Sequence, residues 1–205
     1  MNATDVFKFL CEEIHTTVVA TNDENGFPVT CAVDIMDYDK NGLYFLTAKG
    51  KKFYNRLNST GYLSLTGIKG KDTMSCIAVS VCGKIKQADG GRLQKLLDKN
   101  PYMYEIYPTE KSRSVLAAFC LYEGSVEWFD LSKKPIERFS FSFGGRLGEK
   151  RGYFITDKCI SCGKCVSCCP QNCIIAGEPY FIEQKNCLRC GNCYENCPAN
   201  AIEKS

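Results

Sequence analysis

A chain of 205 residues, 44% hydrophobic and 24% charged, has apolar material for one sizeable core or two smaller ones, and too much of it for a disordered polymer. Its formal net charge of +3 gives no reason to expect a nucleic-acid partner, because thiols ionised around a metal and a bound anionic cofactor would cancel it. A single histidine, His15, set against fifteen cysteines excludes His-rich zinc catalysis and any triad that needs more than one imidazole.

In chain order, the first fifteen residues carry neither a basic leader nor a long apolar stretch, and the longest apolar run anywhere, 115–122, is too short to cross a bilayer. A soluble cytoplasmic protein without membrane partners is expected. Val6, Leu10 and Ile14 recur every four positions behind Thr4-Asp5, which predicts a short amphipathic helix with an N-cap over 4–14. β-Branched and aromatic runs follow at 15–21, 27–36 and 42–48, separated by turn-rich stretches, as in an antiparallel meander. Helical turns are expected over 51–58, two longer strands over 61–68 and 74–85, and a helix over 90–100, with another bracketed by Pro101 and Pro108. The stretch 114–130 reads as a hairpin turning at Glu123-Gly124. The Gly-rich, basic segment 143–152 reads as linker. These signals place a first domain over 1–140, a linker over 141–152 and a second domain over 153–205.

The cysteines mark the same boundary, with five (Cys11, Cys31, Cys76, Cys82, Cys120) in the first 158 residues and ten in the last 47. An odd count without a secretory leader argues against a disulfide framework and leaves the thiols to metals. The C-terminal part also repeats internally: Tyr153-Phe154-Ile155 returns as Tyr180-Phe181-Ile182, and 159–170 returns as 187–198. Cys159, Cys162, Cys165 and Cys169, and again Cys187, Cys190, Cys193 and Cys197, follow C-x2-C-x2-C-x3-C before a proline, the bacterial ferredoxin run for a [4Fe-4S] cluster. Three closely spaced thiolates wrap one corner of the cube, and the fourth, stiffened by Pro170 or Pro198, reaches the other cube. By that crossed rule Cys159, Cys162, Cys165 and Cys197 hold one cluster, and Cys187, Cys190, Cys193 and Cys169 the other. Zinc also takes C-x2-C, but a zinc ribbon needs two separated pairs rather than this run twice over. Cys168 and Cys173 fall outside the pattern and read as small buried fillers. Residues 153–205 thus resemble a two-cluster bacterial ferredoxin along their whole length.

In the first domain a Gly26-Phe27-Pro28 turn precedes one strand, a second strand ends Leu46-Thr47-Ala48, and Lys51-Lys52 enters a short helix. This stretch resembles the pyridoxamine-phosphate-oxidase-like family of FMN-binding split barrels. The resemblance implies an α+β protein, an antiparallel FMN-binding split β-barrel with short helices followed by the small two-cluster ferredoxin-type domain. It implies that Leu46 and Thr47 meet the flavin and its ribityl phosphate. Lys51 and Lys52 would supply charge to the phosphate, beside N–H donors of the opening helix. Thr30 and Cys31 stand where the oxidase carries an arginine, and complete the expected cofactor contacts. Flavin sites at the boundary of paired barrels make a homodimer the expected state. The oxidase's C-terminal Trp and Arg pattern, which grips pyridoxal phosphate, has no match, so vitamin B6 oxidation is not expected. Lys49 belongs to the same basic run, whose plainest reading is a solvated face. His15 reads as a surface or turn residue, and Trp128, Tyr102, Tyr104 and Tyr107 as core or interface material.

The expected activity is that of an FMN-dependent oxidoreductase in which two [4Fe-4S] clusters pass single electrons to or from FMN for two-electron reduction of a small organic acceptor. No residue stands out as its proton donor. The alternative is a non-catalytic electron carrier whose partners are other electron-transfer proteins. A flavin or redox sensor ranks below both, because no DNA-reading helix pair is present.

Overall fold

The computed structural model describes residues 1–148 and 150–205; Glu149, inside the expected linker, lies outside the described residues. Contacts divide the chain into two compact units. Unit 1 comprises Met1–Lys69, Ala78–Val126 and Phe141–Leu147, and unit 2 comprises Gly70–Ile77, Glu127–Ser140 and Gly148–Ser205.

Unit 1 opens on helix α1 (Ala3–Lys8), started by Asn2 rather than by Thr4. The Asn2 side chain accepts the Asp5 N–H at 3.1 Å and the Asp5 carboxylate accepts the Asn2 N–H at 2.8 Å, a reciprocal cap. The helix then widens into a π-helical segment over Phe9–Ile14, closed by His15 in left-handed backbone at φ 64°. Eight strands form one sheet: β1 (Thr16–Asn22), β2 (Pro28–Asp34), β3 (Asp37–Asp39), β4 (Gly42–Ala48), β5 (Tyr62–Lys69), β6 (Ile77–Gln87), β7 (Leu116–Asp130) and β8 (Glu137–Phe143). Their order is β2-β1-β5-β6-β7-β4-β3, with β8 beside β7, a curled antiparallel half-barrel. Along β1 and β5 burial alternates residue by residue, so one face of each is wet. β4 and the first half of β7 are buried on both faces.

Two cores account for that double burial. On one face Phe45 and Phe119, cross-strand partners, stack at 5.8 Å beneath α2 (Lys52–Thr60). On the other, Tyr44, Ala118 and Cys120 pack with Leu96 and Leu97 of α3 (Gly90–Lys99) and Met103 of α4 (Tyr102–Ile106). Buried Asp37 fixes α3 to β3 by accepting from Arg92 at 3.0 Å and Lys99 at 2.5 Å, while Arg92 also reaches Asp39 at 2.6 Å. A further short helix, α5 (Glu110–Arg113), precedes β7.

Two further expectations change. Residues 114–130 do not turn at Glu123-Gly124, since β7 runs unbroken to Asp130. A Cβ on Gly124 would strike the Cys82 carbonyl, and one on Gly83 would strike the Glu123 carbonyl, so this pair of glycines marks a close approach of β6 and β7. The reversal comes later, where Asp130 Oδ1 accepts the N–H of Ser132 at 2.8 Å and its hydroxyl at 2.6 Å. The chain returns as β8, which carries 141–143 as strand rather than linker.

Unit 2 holds the rest of the short elements: β9 (Tyr153–Ile155), α6 (Lys164–Cys168), β10 (Ile174–Ile175), β11 (Phe181–Ile182), α7 (Asn192–Glu195) and β12 (Ile202–Lys204). β9 pairs with β12 and β10 with β11, so the strand opening each copy of the repeat lies beside the strand closing the other.

The glycine contact is testable in chemical denaturation. Gly124→Ala should lower unfolding stability by about 1–3 kcal/mol, the cost of forcing volume into packed structure. Gly91→Ala, in α3 with open space around it, should be neutral or stabilising.

Candidate cofactor sites

Each cysteine run folds as a loop, a helical turn and a Cys-Pro exit, and the loops need left-handed backbone. Ser161 (φ 52°) and Gly163 (φ 74°) supply it in the first copy, Arg189 (φ 58°) and Gly191 (φ 81°) at the same places in the second. Gly163 and Gly191 lead straight into α6 and α7, which turns the spaced thiols toward one space.

The thiols do not group by run. Cys159, Cys162 and Cys165 line a small cavity together with Cys197 of the other copy, walled by Ile155 and Ile202. Cys187, Cys190 and Cys193 line a second, together with Cys169, walled by Ile174 and Ile182. Strand pairing is the cause, because β9 against β12 and β10 against β11 carry each Cys-Pro exit across to the other copy. Among the described residues no three Cys, His, Asp or Glu side chains converge tightly enough to hold a single ion. Each set of four surrounds a space rather than a point, which fits a multi-iron cluster better than one tetrahedral zinc.

The local chemistry also fits anionic sulfur bound to a cation. Backbone N–H groups of Tyr180 and Ser161 hold Cys159 below the usual thiol range. The N–H of Ala201 donates to Cys197 Sγ and that of Arg189 to Cys187 Sγ, both at 3.3 Å. Burial pushes Cys193 up to about 11 and raises Cys165, so keeping those two ionised takes positive charge among them. Cys173 is buried, as expected of a filler, yet it lines the second cavity with its Sγ 3.5 Å from that of Cys169. Cys168 donates instead to the Cys165 carbonyl at 3.4 Å.

In unit 1 a cavity of about 290 Å³ lies between the ends of β2 and β4 and the start of α2 and α4. Four of the six residues expected to touch flavin line it, namely Cys31, Leu46, Thr47 and Lys51. Thr47 is buried at the end of β4, and Lys51 caps α2 through its backbone with no side-chain cap, leaving first-turn N–H groups for a ligand. Thr30 and Lys52 are exposed and off the lining. The two-residue period of β2 sends Thr30 to the face opposite Cys31, and one step into α2 turns Lys52 away from Lys51. Lys49 is also off it, donating to the Ser114 carbonyl at 3.2 Å.

Sequence reasoning missed other residues here. Arg56, one turn beyond Lys52 on α2, donates to Thr21 Oγ1 at 2.8 Å. Burial pushes the Cys31 thiol up, while the charges of Arg56 and Lys51 pull it back. Asp34 and Tyr102 share the cavity wall, with the Tyr102 hydroxyl donating to Asp34 at 3.0 Å. Burial and then that carboxylate raise Tyr102 well above the usual phenol range. His15 Nε2 lies 3.2 Å from the same hydroxyl, so the histidine read as a turn residue backs a polar cluster on the cavity wall.

No curated protein matches the chain by sequence. Among solved structures, a NimC/NimA family protein from Clostridium acetobutylicum is similar with TM-score 0.58 at 15% identity, over 69% of this chain and 92% of that one. PhzG from Burkholderia lata 383, solved with tetrahydrophenazine-1-carboxylic acid, gives TM-score 0.54 at 14% identity, over 71% and 84%. A protein related to general stress protein 26, of the pyridoxinephosphate oxidase family and from C. acetobutylicum, gives 0.53 at 18%, over 69% and 96%. At these identities the likeness is one of fold. No described helix is long and apolar enough to cross a membrane. Residues 151–198 match the 4Fe-4S dicluster domain. Residues 3–132, more than half of the chain, match the pyridoxamine 5'-phosphate oxidase family, and the chain therefore belongs to that family, with a dicluster domain joined behind the barrel.

Proposed function

We propose that the chain is an FMN-dependent reductase that draws electrons through two [4Fe-4S] clusters of its own and delivers them in pairs to a small organic acceptor. The observation that carries this reading is the crossing of the thiols, three from one run and one from the other around each cavity, on a chain whose barrel offers a phosphate-ready cavity. Bound there, the clusters would carry single electrons and FMN would exchange one-electron for two-electron chemistry.

The chain's own part is positioning. Lys51 and the free N–H groups at the start of α2 would hold the dianionic phosphate, and the buried Thr47 hydroxyl would orient it. Leu46, Met103 and Leu116 exclude water from the cavity wall. Tyr102, raised by burial and Asp34, keeps its proton on Oη at the cavity edge, with His15 behind it as the group able to resupply one. A homodimer and an external one-electron donor, itself an electron-transfer protein, belong to the same reading. An electron carrier without a substrate remains the rival, favoured if reduced protein never turns over an added acceptor.

Three measurements test it. Lys51→Ala with Thr47→Val removes contacts of about 1.5–3 kcal/mol each, so the FMN dissociation constant should rise at least about tenfold while iron stays constant. Unchanged flavin affinity would displace the flavin from this cavity. Cys197→Ala should cut iron from about eight to about four per chain, emptying the cavity of Cys159, Cys162 and Cys165. Loss confined to the cavity of Cys187 would contradict the crossing. In anaerobic stopped flow with clusters pre-reduced, flavin reduction should proceed at a rate independent of protein concentration. A rate proportional to concentration would mean that electrons pass between molecules.

A further inference from the structure

The two copies of the repeat are alike in their thiols and unlike beside them. Ser161 and Arg189 occupy the same place, one residue before Cys162 and Cys190, and both take left-handed backbone. Ser161 is half-buried, its hydroxyl 3.4 Å from the Gly177 carbonyl. Arg189 has a side chain only 14% exposed, and Nη1 donates to Glu127 Oε1 at 2.9 Å. Arg138 Nε donates to the same oxygen at 2.7 Å, and Arg138 Nη1 donates to the Leu188 carbonyl at 2.8 Å. Asn186 Nδ2 donates to the Ile136 carbonyl at 2.7 Å. Within unit 2 the β7–β8 hairpin therefore grips the loop that carries Cys187 and Cys190. Among the described residues two guanidinium groups share one carboxylate there, so positive charge outweighs negative in a mostly buried place, and Arg151 adds to it from nearby. The cations flanking the first run, Lys158 and Lys164, are exposed, where water and salt screen them.

We propose that Arg189, held by Glu127 and the hairpin, is a positioning residue that makes the site of Cys187, Cys190, Cys193 and Cys169 the higher-potential one of the pair. The inference rests on the two-cluster reading above. A cluster gains one negative charge on reduction, and a fixed cation in a poorly solvated region stabilises that charge more than an exposed one does. When one electron is shared, it leaves the site of Cys159 and settles at the site of Cys187. Nothing else is exchanged, and the electron comes from whichever one-electron reductant loads the domain.

The test is an anaerobic potentiometric titration of the full chain with dithionite, followed by electron paramagnetic resonance, with iron measured on every sample. The unaltered chain should show two separate one-electron potentials. Arg189→Gln should lower only the higher one, reducing the equilibrium constant for electron sharing about tenfold, equivalent to about 59 mV. Glu127→Gln, which keeps the shape and removes the opposing charge, should raise that same potential. Iron near eight with neither potential moved by Arg189→Gln, with both moved together, or with the lower one moved would overturn the proposal. So would a fall with Glu127→Gln, and that variant decides the matter alone if Arg189→Gln loses iron. Iron far from eight in the unaltered chain would overturn the two-cluster reading instead.

Discussion

Half of the small core of the cysteine-rich segment is made of thiols. Of the eight buried residues at its centre four are cysteines, and the others are Tyr153, Ile174, Ile182 and Ile202. A segment this short buries too little apolar surface to offset its conformational entropy, so metal–sulfur bonds must supply the missing stabilisation. The crossing of the two Cys-Pro exits matters for the same reason. Each cavity draws ligands from both copies, so neither half can close without the other. Strand pairs of two or three residues suffice where covalent links do the holding.

Unit 1 is built on the opposite principle. Phe45, Phe119, Leu43 and Leu121 are fully buried between helices on two faces, and apolar packing rather than metal ligation carries the fold. A rigid scaffold of this kind can afford a cavity at its margin, where β4 ends and α2 begins. There the strand delivers a buried hydroxyl and the helix delivers unpaired N–H groups, two features that exist only because one element stops and the next starts.

What the sequence revealed follows the range of the interaction. The cluster thiols lie within eleven residues of one another in each run, and the proline and glycine signals are local, so their spacing could be read directly. Their crossing is a rule of the ferredoxin-type run, and the thiols lining each cavity are grouped as that rule groups them. Leu46, Thr47 and Lys51 lie on one strand-to-helix unit and were equally accessible. Asp34 and Tyr102 meet across 68 positions and His15 and Tyr102 across 87, and no periodicity announces such contacts. Glu123-Gly124 misled because a glycine inside a strand signals either a turn or a close backbone approach, and only the neighbouring strand with Gly83 distinguishes them. The true reversal lay in Asp130 to Pro135, where an aspartate cap does the work without any glycine. Thr30 lies off the cavity lining because adjacent residues of a strand face opposite ways, and it is Cys31 that faces the cavity.

Charge counting separates the two ionic networks of the molecule by role. Around α3, Arg92 and Lys99 meet Asp37 and Asp39, two cations against two carboxylates, and the group is neutral. Such a network fixes one element to another and projects little field. Around the β7–β8 hairpin, among the described residues, Arg138 and Arg189 meet one carboxylate, Glu127, beside a separate and neutral Lys185–Glu137 pair. A structural clamp would be served by neutrality, which avoids leaving a cation uncompensated at low exposure. The surplus charge is tolerated next to the loop whose thiolates carry the opposite sign. The duplicated runs give both sites the same ligands, so any difference between them has to come from the residues beside those ligands, and among the described residues this buried cation pair stands beside one copy only.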